Sequence, residues 1–375
     1  MDFDLTQEQL AVQELSAQLL GDLSTPDTLR AVESGDADRF DRRLWAAMAE
    51  AGLLSLVVPE EQGGAGLGLL ELCLLLREVG RRTAAVPALA TLASGALPIA
   101  RLGTPAQRAS WLPGVADGST VLTAALVDPL GDPLRPDVMA TRTAGGWRLD
   151  GRRTNVPAGT IADVVLVPAT ADDQTIVVVV RADRPGLERT PQATTSGTPE
   201  ALIELDGVLV DDGDRLGDAP DVLEQLIDLA TVASCAVMAG VAAEAVRLTG
   251  AYTTEREQFG RPIASFQAVT QRAADAWVDA QAIELTMLQA AWRIDAGLPS
   301  DREVAVAKFF AAEAGQRAVH AAQHLHGGMG VDRDYPLHRY FLWAKQHELF
   351  PGGANRQLLR LGTSLAAQGP ARSAT

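Results

Sequence analysis

Two segments in the last third of the chain combine residue types that could bind a phosphorylated ligand. Residues 255–263 read EREQFGRPI, and residues 320–330 read HAAQHLHGGMG. An arginine such as Arg256 can pair with a pyrophosphate in a fixed geometry, and glycines such as Gly327 and Gly328 let backbone amides approach closely. A helix end followed by a loop explains the glycine cluster equally well when the cluster is considered alone.

Helical patterns flank both segments and must position them. Residues from Leu223 to Tyr252 are almost uniformly apolar or small, so this stretch predicts a helix buried among other helices. A Pro351-Gly352-Gly353 break ends the helical pattern that follows the glycine cluster. The other predicted helices of this antiparallel bundle cover residues 267–296, 302–323 and 337–349.

The first third of the chain is predicted to be entirely helical. Thr6 and Gln9 have the spacing of a capping box, and apolar residues recur at helical intervals through Leu20. Further helices are predicted over residues 38–51, 69–81, 88–102 and 104–118. This region forms the first predicted domain, residues 1–118.

At Ser119 the hydrophobic period changes from 3.6 to 2, which indicates a small β-barrel or β-sandwich domain over residues 119–218. Within it, Trp147 leads to Asp150-Gly151, which we expect to form a hairpin turn. The helical bundle then occupies residues 219–367, and residues 368–375 are expected to be a frayed tail. The predicted strands cover residues 121–127, 146–150, 164–168, 175–181 and 201–209.

Composition excludes several classes of function. The formal net charge of -16 argues against nucleic-acid binding, which needs a basic surface. No clean membrane span and no targeting segment are predicted, so we expect a cytoplasmic protein. Cys73 and Cys235 lie in apolar helical surroundings and are expected to be reduced, buried thiols, and no metal site is predicted.

Several motifs in a fixed order give the chain a family resemblance. These are the GGMG cluster, DYPLHRYFLWAK at residues 334–345, the Pro-Gly-Gly break followed by Arg356-Gln357, and EREQFGRPI upstream. Together they resemble the acyl-CoA dehydrogenase family over nearly the whole chain. The resemblance implies an α+β protein with an N-terminal helical domain, a middle β domain and a C-terminal helical bundle, and it implies FAD as cofactor.

The resemblance also implies where a catalytic base should lie. In that family a glutamate removes the α-proton of an acyl-CoA thioester while hydride leaves the β-carbon for the flavin. Its two known positions correspond here to Pro351 and Ala230, neither of which has acid–base function. Glu224 and Asp228 lie nearby in sequence, but helical geometry points them elsewhere. We therefore expect no catalytic residue on this chain.

The two halves of the implied flavin site differ. Residues 127–133 and Asn155-Val156-Pro157 depart from the family pattern around the flavin ring, and Gly353 and Asn355 replace a threonine and a glutamate. In the family, the C-terminal domain of one subunit binds the ADP part of the FAD of a neighbouring subunit across a dimer interface. The residues for that contact are retained here. The cofactor-binding residues that the resemblance implies are Arg256, Phe259, Gln267, His324, Leu325, His326, Gly327 and Gly328.

These features are most similar to the subunit without a base in heterotetrameric (α2β2) steroid-degrading acyl-CoA dehydrogenases of bacteria. The expected partner is a second acyl-CoA dehydrogenase-like chain that carries the glutamate, and the expected electron acceptor is an electron-transfer flavoprotein. Two alternatives stay open. One is a non-enzymatic scaffold, and the other is a self-sufficient homotetramer with an unorthodox base or with monooxygenase chemistry.

Overall fold

The computed structural model describes residues 4–35, 38–127, 132–172 and 174–367 of the chain. Its N-terminal region is helical, as predicted, and the Thr6–Gln9 capping box is present. Helix α2 was not predicted, although Thr25 caps it and Pro26 occupies its first turn. The helices are α1 Gln7–Leu23, α2 Pro26–Ser34, α3 Arg42–Glu50, α4 Leu69–Arg82, a π-helix Leu89–Ala96, α5 Leu97–Leu102 and α6 Pro105–Ala116.

The middle region is a curled, mixed sheet of seven strands, which confirms the predicted β domain. The strand order is β1-β4-β2-β3-β7-β6, and β5 pairs with the far side of β4. The predicted hairpin turn at Asp150-Gly151 is wrong, because both residues lie inside β3, where its register with β7 shifts. The strands are β1 Leu122–Ala124, β2 Met139–Arg142, β3 Gly146–Pro157, β4 Val164–Ala171, β5 Gln174–Arg181, β6 Leu187–Gln192 and β7 Glu200–Asp211.

The C-terminal region is the expected helical bundle, interrupted by one short hairpin. Helix α7 is long and apolar enough to cross a membrane, but 89% of its most apolar 18-residue stretch is buried inside the protein. It is therefore a core helix. The elements are α7 Val222–Glu255, β8 Glu257–Gln258, β9 Arg261–Pro262, α8 Gln267–Asp295, α9 Asp301–His326, α10 Leu337–Leu349 and α11 Ala354–Ala367.

Two glycines bring α4 and α7 into close contact. A Cβ added at Gly80 would lie 2.1 Å from the Val237 carbonyl oxygen, and one added at Gly240 would lie 1.9 Å from the Arg77 carbonyl oxygen. Each helix therefore presents a glycine to the other's backbone, and any side chain there would force the helices apart. This crossing joins the N-terminal helices to the bundle.

One continuous hydrophobic core runs from the N-terminal helices through α7 to the bundle. A separate core is formed by side chains packed inside the curled sheet. Cys73 and Cys235 are free and completely buried, as expected, and burial raises the pKa of the Cys235 thiol to about 12. We keep residues 1–118, 119–218 and 219–367 as proposed domain boundaries. The predicted tail, residues 368–375, lies outside the described residues.

Candidate functional site

The hairpin formed by β8 and β9 displays an aromatic ring to solvent in an unfavourable backbone conformation. Gln258 pairs with Arg261, so Phe259 and Gly260 form a two-residue turn with φ values of 54° and 73°. Such turns favour asparagine followed by glycine, because a bulky side chain is disfavoured at positive φ. Phe259 is nevertheless 92% exposed, and its ring contacts Phe266 edge-on at 6.1 Å between centroids. Folding of this chain alone gives no reason for phenylalanine here.

Two polar residues predicted to bind the cofactor flank this hairpin. Arg256 ends α7, and its backbone N–H donates to the Tyr252 carbonyl, whereas Gln267 begins α8. Both residues are exposed. Within the described part of the chain, neither side chain has a hydrogen-bond or ion-pair partner. The Arg256 guanidinium therefore faces solvent and can pair with an external anion.

The glycine turn lies at the same end of the bundle. Gly327, with φ 57°, ends α9, and residues 327–331 form a 3-10 turn. Gly328 has no positive φ, and a Cβ added there would meet nothing within 4 Å. Neither packing nor backbone geometry therefore explains its lack of a side chain, whereas close approach of a ligand does.

The two histidines of this segment have different surroundings. His324 is exposed, whereas His326 is 3% exposed; its Nδ1 donates to the Ala322 carbonyl at 2.8 Å, and its Nε2 lies 3.1 Å from the Tyr335 hydroxyl. Burial lowers the pKa of His326. Its ring stacks on Tyr252 at 4.4 Å, which ties the end of α7 to the end of α9. Because Leu325 is also buried, only the backbones of these two residues are available to a surface ligand.

These observations test the fit of the ADP part of FAD, a group that the fold family implies. The surface carries the exposed Arg256 guanidinium, which has no ion-pair partner among the described residues, the exposed Phe259 ring, and a glycine turn with open space around it. A pyrophosphate needs charge-assisted donors and unhindered backbone amides. The residues present therefore fit the ADP half, and they lie on an outer surface rather than in an internal cavity.

The two expected base positions contain no acid–base group. Ala230 is completely buried in α7, and Pro351 follows Phe350 in the bend after α10. A hydrogen-bond network fixes that bend: Ser234 Oγ donates to the Phe350 carbonyl at 3.1 Å and contacts His347 Nδ1 at 3.1 Å. Lys308, also completely buried, donates from Nζ to the carbonyls of His347 and Glu348. Burial lowers the pKa of Lys308 to about 8.

Asp228, one of the two carboxylates near Ala230, has a structural partner. Its oxygens accept hydrogen bonds from Arg360 at 2.7 and 3.0 Å, which joins α7 to α11. Burial raises the pKa of Asp228, and the Arg360 guanidinium opposes that rise. The carboxylate is therefore held by an arginine 132 positions away in sequence.

We predict that Asp228→Asn lowers the free energy of unfolding by about 2 kcal/mol, because the variant loses a charge-assisted pair and leaves Arg360 only the more distant Asp301, at 3.8 Å, as an ion-pair partner. Urea unfolding monitored by circular dichroism measures the change. Asp275→Asn is the matched control, since this exposed carboxylate forms no ion pair with any described residue. Equal stability of the two variants would contradict the structural role.

A narrow cleft lies beside the Phe350 bend. Its volume is about 70 Å³, and its walls come from the N-terminal helices, the sheet and α10. Because one water needs about 10–15 Å³ on this measure, the cleft holds several waters but not the three fused rings of a flavin. Arg39 lies at its edge, with its guanidinium so close to Gly197 that an added Cβ would lie 1.6 Å from Nη1. This cleft is therefore too small for a flavin ring.

The structure describes some of the residues that depart from the family pattern around the flavin ring. Asn155 has φ 48°, and its backbone N–H donates to Gln192 Oε1 at 2.7 Å. Pro157 lines the cleft and has no N–H to donate. Residues 128–131 of the predicted 127–133 departure lie outside the described residues.

Glu200, at the start of β7, was missed by the sequence analysis. It is 3% exposed and lines the cleft. Gln346 Nε2 donates to its Oε1 at 2.6 Å, whereas Oε2 is buried without a hydrogen-bond partner among the described residues. Burial raises the pKa of Glu200 to about 7, although the nearby Asn155 side chain opposes the rise. No local signal marks Glu200, because the donor of its shortest hydrogen bond, Gln346, lies 146 positions away in sequence.

His347, also missed, should make the fold sensitive to acid. Burial against the cleft wall, followed by the Lys308 charge, lowers its pKa to about 3 from an ordinary 6.5. The unfolded chain therefore binds a proton between those values that the folded chain does not, so stability is complete above pH 6.5 and falls as pH falls.

We predict a loss of about 2 kcal/mol from this group between pH 6.5 and 4.5. Chemical unfolding at both pH values measures the total loss, and His347→Asn isolates this contribution because asparagine cannot titrate. The variant should lose correspondingly less stability over that interval. Parallel losses in the variant and the original protein would show that His347 is not responsible.

A helical domain, a curled sheet and a helical bundle, in this order, define the acyl-CoA dehydrogenase fold. The chain belongs to the acyl-CoA dehydrogenase family: the model of the family's N-terminal domain matches residues 6–119, and that of its C-terminal domain matches residues 213–366. This confirms the family and the fold predicted from the sequence motifs.

Similar proteins indicate the steroid-degrading type within the family. Acyl-CoA dehydrogenase FadE27 of Mycobacterium tuberculosis is 41% identical over 98% of this chain and 99% of its own, and FadE28 of the same organism is 38% identical over 96% and 98%. The ChsE4-ChsE5 complex of Mycobacterium tuberculosis has a chain that is 42% identical, with a TM-score of 0.94 over 99% of this chain and 100% of that chain. A chain of the Tcur3481-Tcur3483 steroid ACAD variant is 44% identical, with a TM-score of 0.92 over 97% of this chain and 99% of that chain.

The cofactor expected for the family is also found with this fold. PigA, solved with FAD and proline, is 22% identical with a TM-score of 0.90 over 98% of this chain and 100% of its own, which shows the shared fold alone. Neighbours in the acyl-CoA dehydrogenase family carry FAD, the cofactor that the sequence motifs implied.

Proposed function

We propose that this chain is one subunit of a heteromeric, FAD-dependent acyl-CoA dehydrogenase and supplies the ADP-binding half of a flavin site to a partner subunit. The partner is a second acyl-CoA dehydrogenase-like chain that carries the ring pocket and the catalytic glutamate. The observation that carries the proposal is Phe259, a 92% exposed aromatic ring held at positive φ. Its conformation has a cost of order 1–3 kcal/mol, and its ring makes one edge-on contact, to Phe266, among the described residues.

The proposed contacts of this chain with FAD all lie at one end of the bundle. Arg256 pairs with the pyrophosphate, Phe259 covers an apolar part of the cofactor, and Gln267 donates hydrogen bonds. The turn after α9 contributes mainly through its backbone, because Leu325 and His326 are buried. The proposed set is Arg256, Phe259, Gln267, His324, Leu325, His326, Gly327 and Gly328.

The reaction we propose is α,β-dehydrogenation of a bulky acyl-CoA. When bound, FAD accepts the hydride that leaves the β-carbon. The partner's glutamate takes the α-proton, so the substrate loses two hydrogens and becomes an enoyl-CoA. This chain binds and orients the cofactor, and its carboxylates do not take part in the proton transfer.

Relatives support a steroid side-chain thioester as the substrate, because a similar structure is described as a steroid ACAD. A two-protein assembly is supported by the ChsE4-ChsE5 complex. An electron-transfer flavoprotein is the proposed electron acceptor, and the cytoplasm is the proposed location. The proposed assembly is an α2β2 tetramer, because pairing two flavin-sharing dimers covers the remaining apolar faces of the bundle.

The test is to express this chain with and without an acyl-CoA dehydrogenase-like partner, and to measure mass, flavin content and acyl-CoA oxidation. Native mass spectrometry should show an α2β2 complex with two FAD molecules, and the chain alone should be flavin-poor and inactive. A homotetramer with four FAD molecules that oxidises acyl-CoA unaided would overturn the proposal in favour of a self-sufficient flavoenzyme. A complex without flavin would favour a scaffold.

A further inference from the structure

Three rings, those of Tyr252, His326 and Tyr335, form a cluster beside the glycine turn. The His326 ring stacks on Tyr252 with 4.4 Å between centroids, and Tyr335 packs against these two rings at 5.2 and 6.4 Å. His326 immediately precedes the turn of residues 327–331, and Tyr335 lies nine positions after His326. Contact between these two side chains therefore closes a loop that contains the whole turn.

One hydrogen bond orients this ring cluster. A carbonyl oxygen can only accept, so His326 Nδ1 carries the proton that it donates to Ala322 at 2.8 Å. Burial lowers the pKa of His326, which keeps the ring neutral and leaves Nε2 as an acceptor. Burial raises the pKa of Tyr335, so its hydroxyl stays protonated. The Tyr335 hydroxyl therefore donates to His326 Nε2 at 3.1 Å.

The ring cluster also joins the turn to Arg256. The Tyr252 carbonyl accepts the Arg256 backbone N–H at 2.8 Å, so stacking of Tyr252 on His326 fixes the end of α7 relative to the end of α9. The turn cannot supply this rigidity itself, because glycine is conformationally free. A Cβ added at Gly327 or Gly328 would meet nothing within 4 Å among the described residues.

We propose that Tyr335 is a positioning residue for FAD: its hydroxyl, acting through His326, holds the glycine turn in the conformation that receives the cofactor's pyrophosphate. This inference rests on the proposed function. A turn that is already ordered loses less conformational entropy when the cofactor binds. The hydrogen bond therefore contributes to affinity without contact between Tyr335 and the cofactor.

The first measurement is hydrogen exchange in the full chain before FAD is added, which does not depend on the proposed function. Tyr335→Phe keeps the ring but removes the hydroxyl, so peptides covering residues 326–335 should exchange about three- to tenfold faster, the usual effect of one hydrogen bond. Tyr340→Phe is the matched control, because the Tyr340 hydroxyl donates to the Arg81 carbonyl at 2.8 Å, outside the turn. Equal exchange of residues 326–335 in the two variants would overturn the proposal.

The second measurement is the FAD affinity of the assembled complex, from flavin absorbance at limiting FAD. Tyr335→Phe should weaken FAD binding about three- to tenfold, whereas Tyr340→Phe should leave it unchanged. If these two variants bind FAD equally well while Arg256→Ala binds it weakly, the positioning role is wrong and the proposed function stands. Unchanged affinity in all three variants would overturn both.

Variants of His326 test whether the hydroxyl acts through this ring. His326→Leu removes the acceptor, so adding Tyr335→Phe to it should cause no further loss of FAD affinity. His326→Gln keeps an amide oxygen as acceptor and should retain more affinity than His326→Leu. A full additional loss in the double variant would show that the hydroxyl acts by another route and would contradict the assignment.

Discussion

Arg256→Ala will reduce the affinity of the assembled enzyme for FAD by about 10- to 100-fold. Arg256 is exposed and has no partner among the described residues, so its guanidinium is free to pair with the cofactor's pyrophosphate. Loss of a charge-assisted hydrogen-bonded contact costs about 1.5–3 kcal/mol, and each 1.4 kcal/mol is a factor of ten. Flavin absorbance of the complex at limiting FAD measures the change.

Arg272→Ala is the matched control for this result. It removes the same charge from an exposed position on α8, one and a half turns from Gln267, without touching the proposed site. Arg256→Lys should give an intermediate affinity, because lysine keeps the charge but not the planar fork of donors. If Arg256→Ala and Arg272→Ala retain the same flavin content, the pyrophosphate assignment is incorrect.

The sequence allowed correct prediction of the elements that depend on local pattern. The apolar run from Leu223 to Tyr252 predicted α7 because a helix apolar on most faces can only be buried. No turn was predicted at residues 255–263, and the structure shows one in which Phe259 occupies the unfavourable first position. Local patterns do not distinguish a turn from a bulge at Asp150-Gly151, because both accept glycine at positive φ.

The surroundings of the empty base positions could not be predicted from the sequence. Ser234 meets His347 across 113 positions, Asp228 meets Arg360 across 132, and Gln346 meets Glu200 across 146. Each pairing follows from how α7, α10, α11 and the sheet pack together, which periodicity does not specify. The unpartnered Glu200 oxygen and the shifted pKa of His347 both arise from this packing.

The second large effect concerns the location of the catalytic base. Replacing the partner's glutamate by glutamine should reduce acyl-CoA oxidation by about 10²–10⁴, the usual contribution of a positioned general base. Glu224→Gln in this chain should leave the rate within about twofold, because Glu224 lies more than one helical turn from Ala230. Stopped-flow reduction of the bound flavin by acyl-CoA measures both rates at equal flavin content.

Pro351→Glu sharpens this prediction because it returns a carboxylate to an empty base position. The variant should gain no second active site, since the adjoining cleft of about 70 Å³ does not admit a flavin ring. Both the flavin content and the rate per complex should therefore stay as they were. A doubling of flavin content and rate in Pro351→Glu would mean that only the glutamate is missing from this chain. A 10²-fold loss in Glu224→Gln, with folding and flavin preserved, would place the base on this chain instead of its partner.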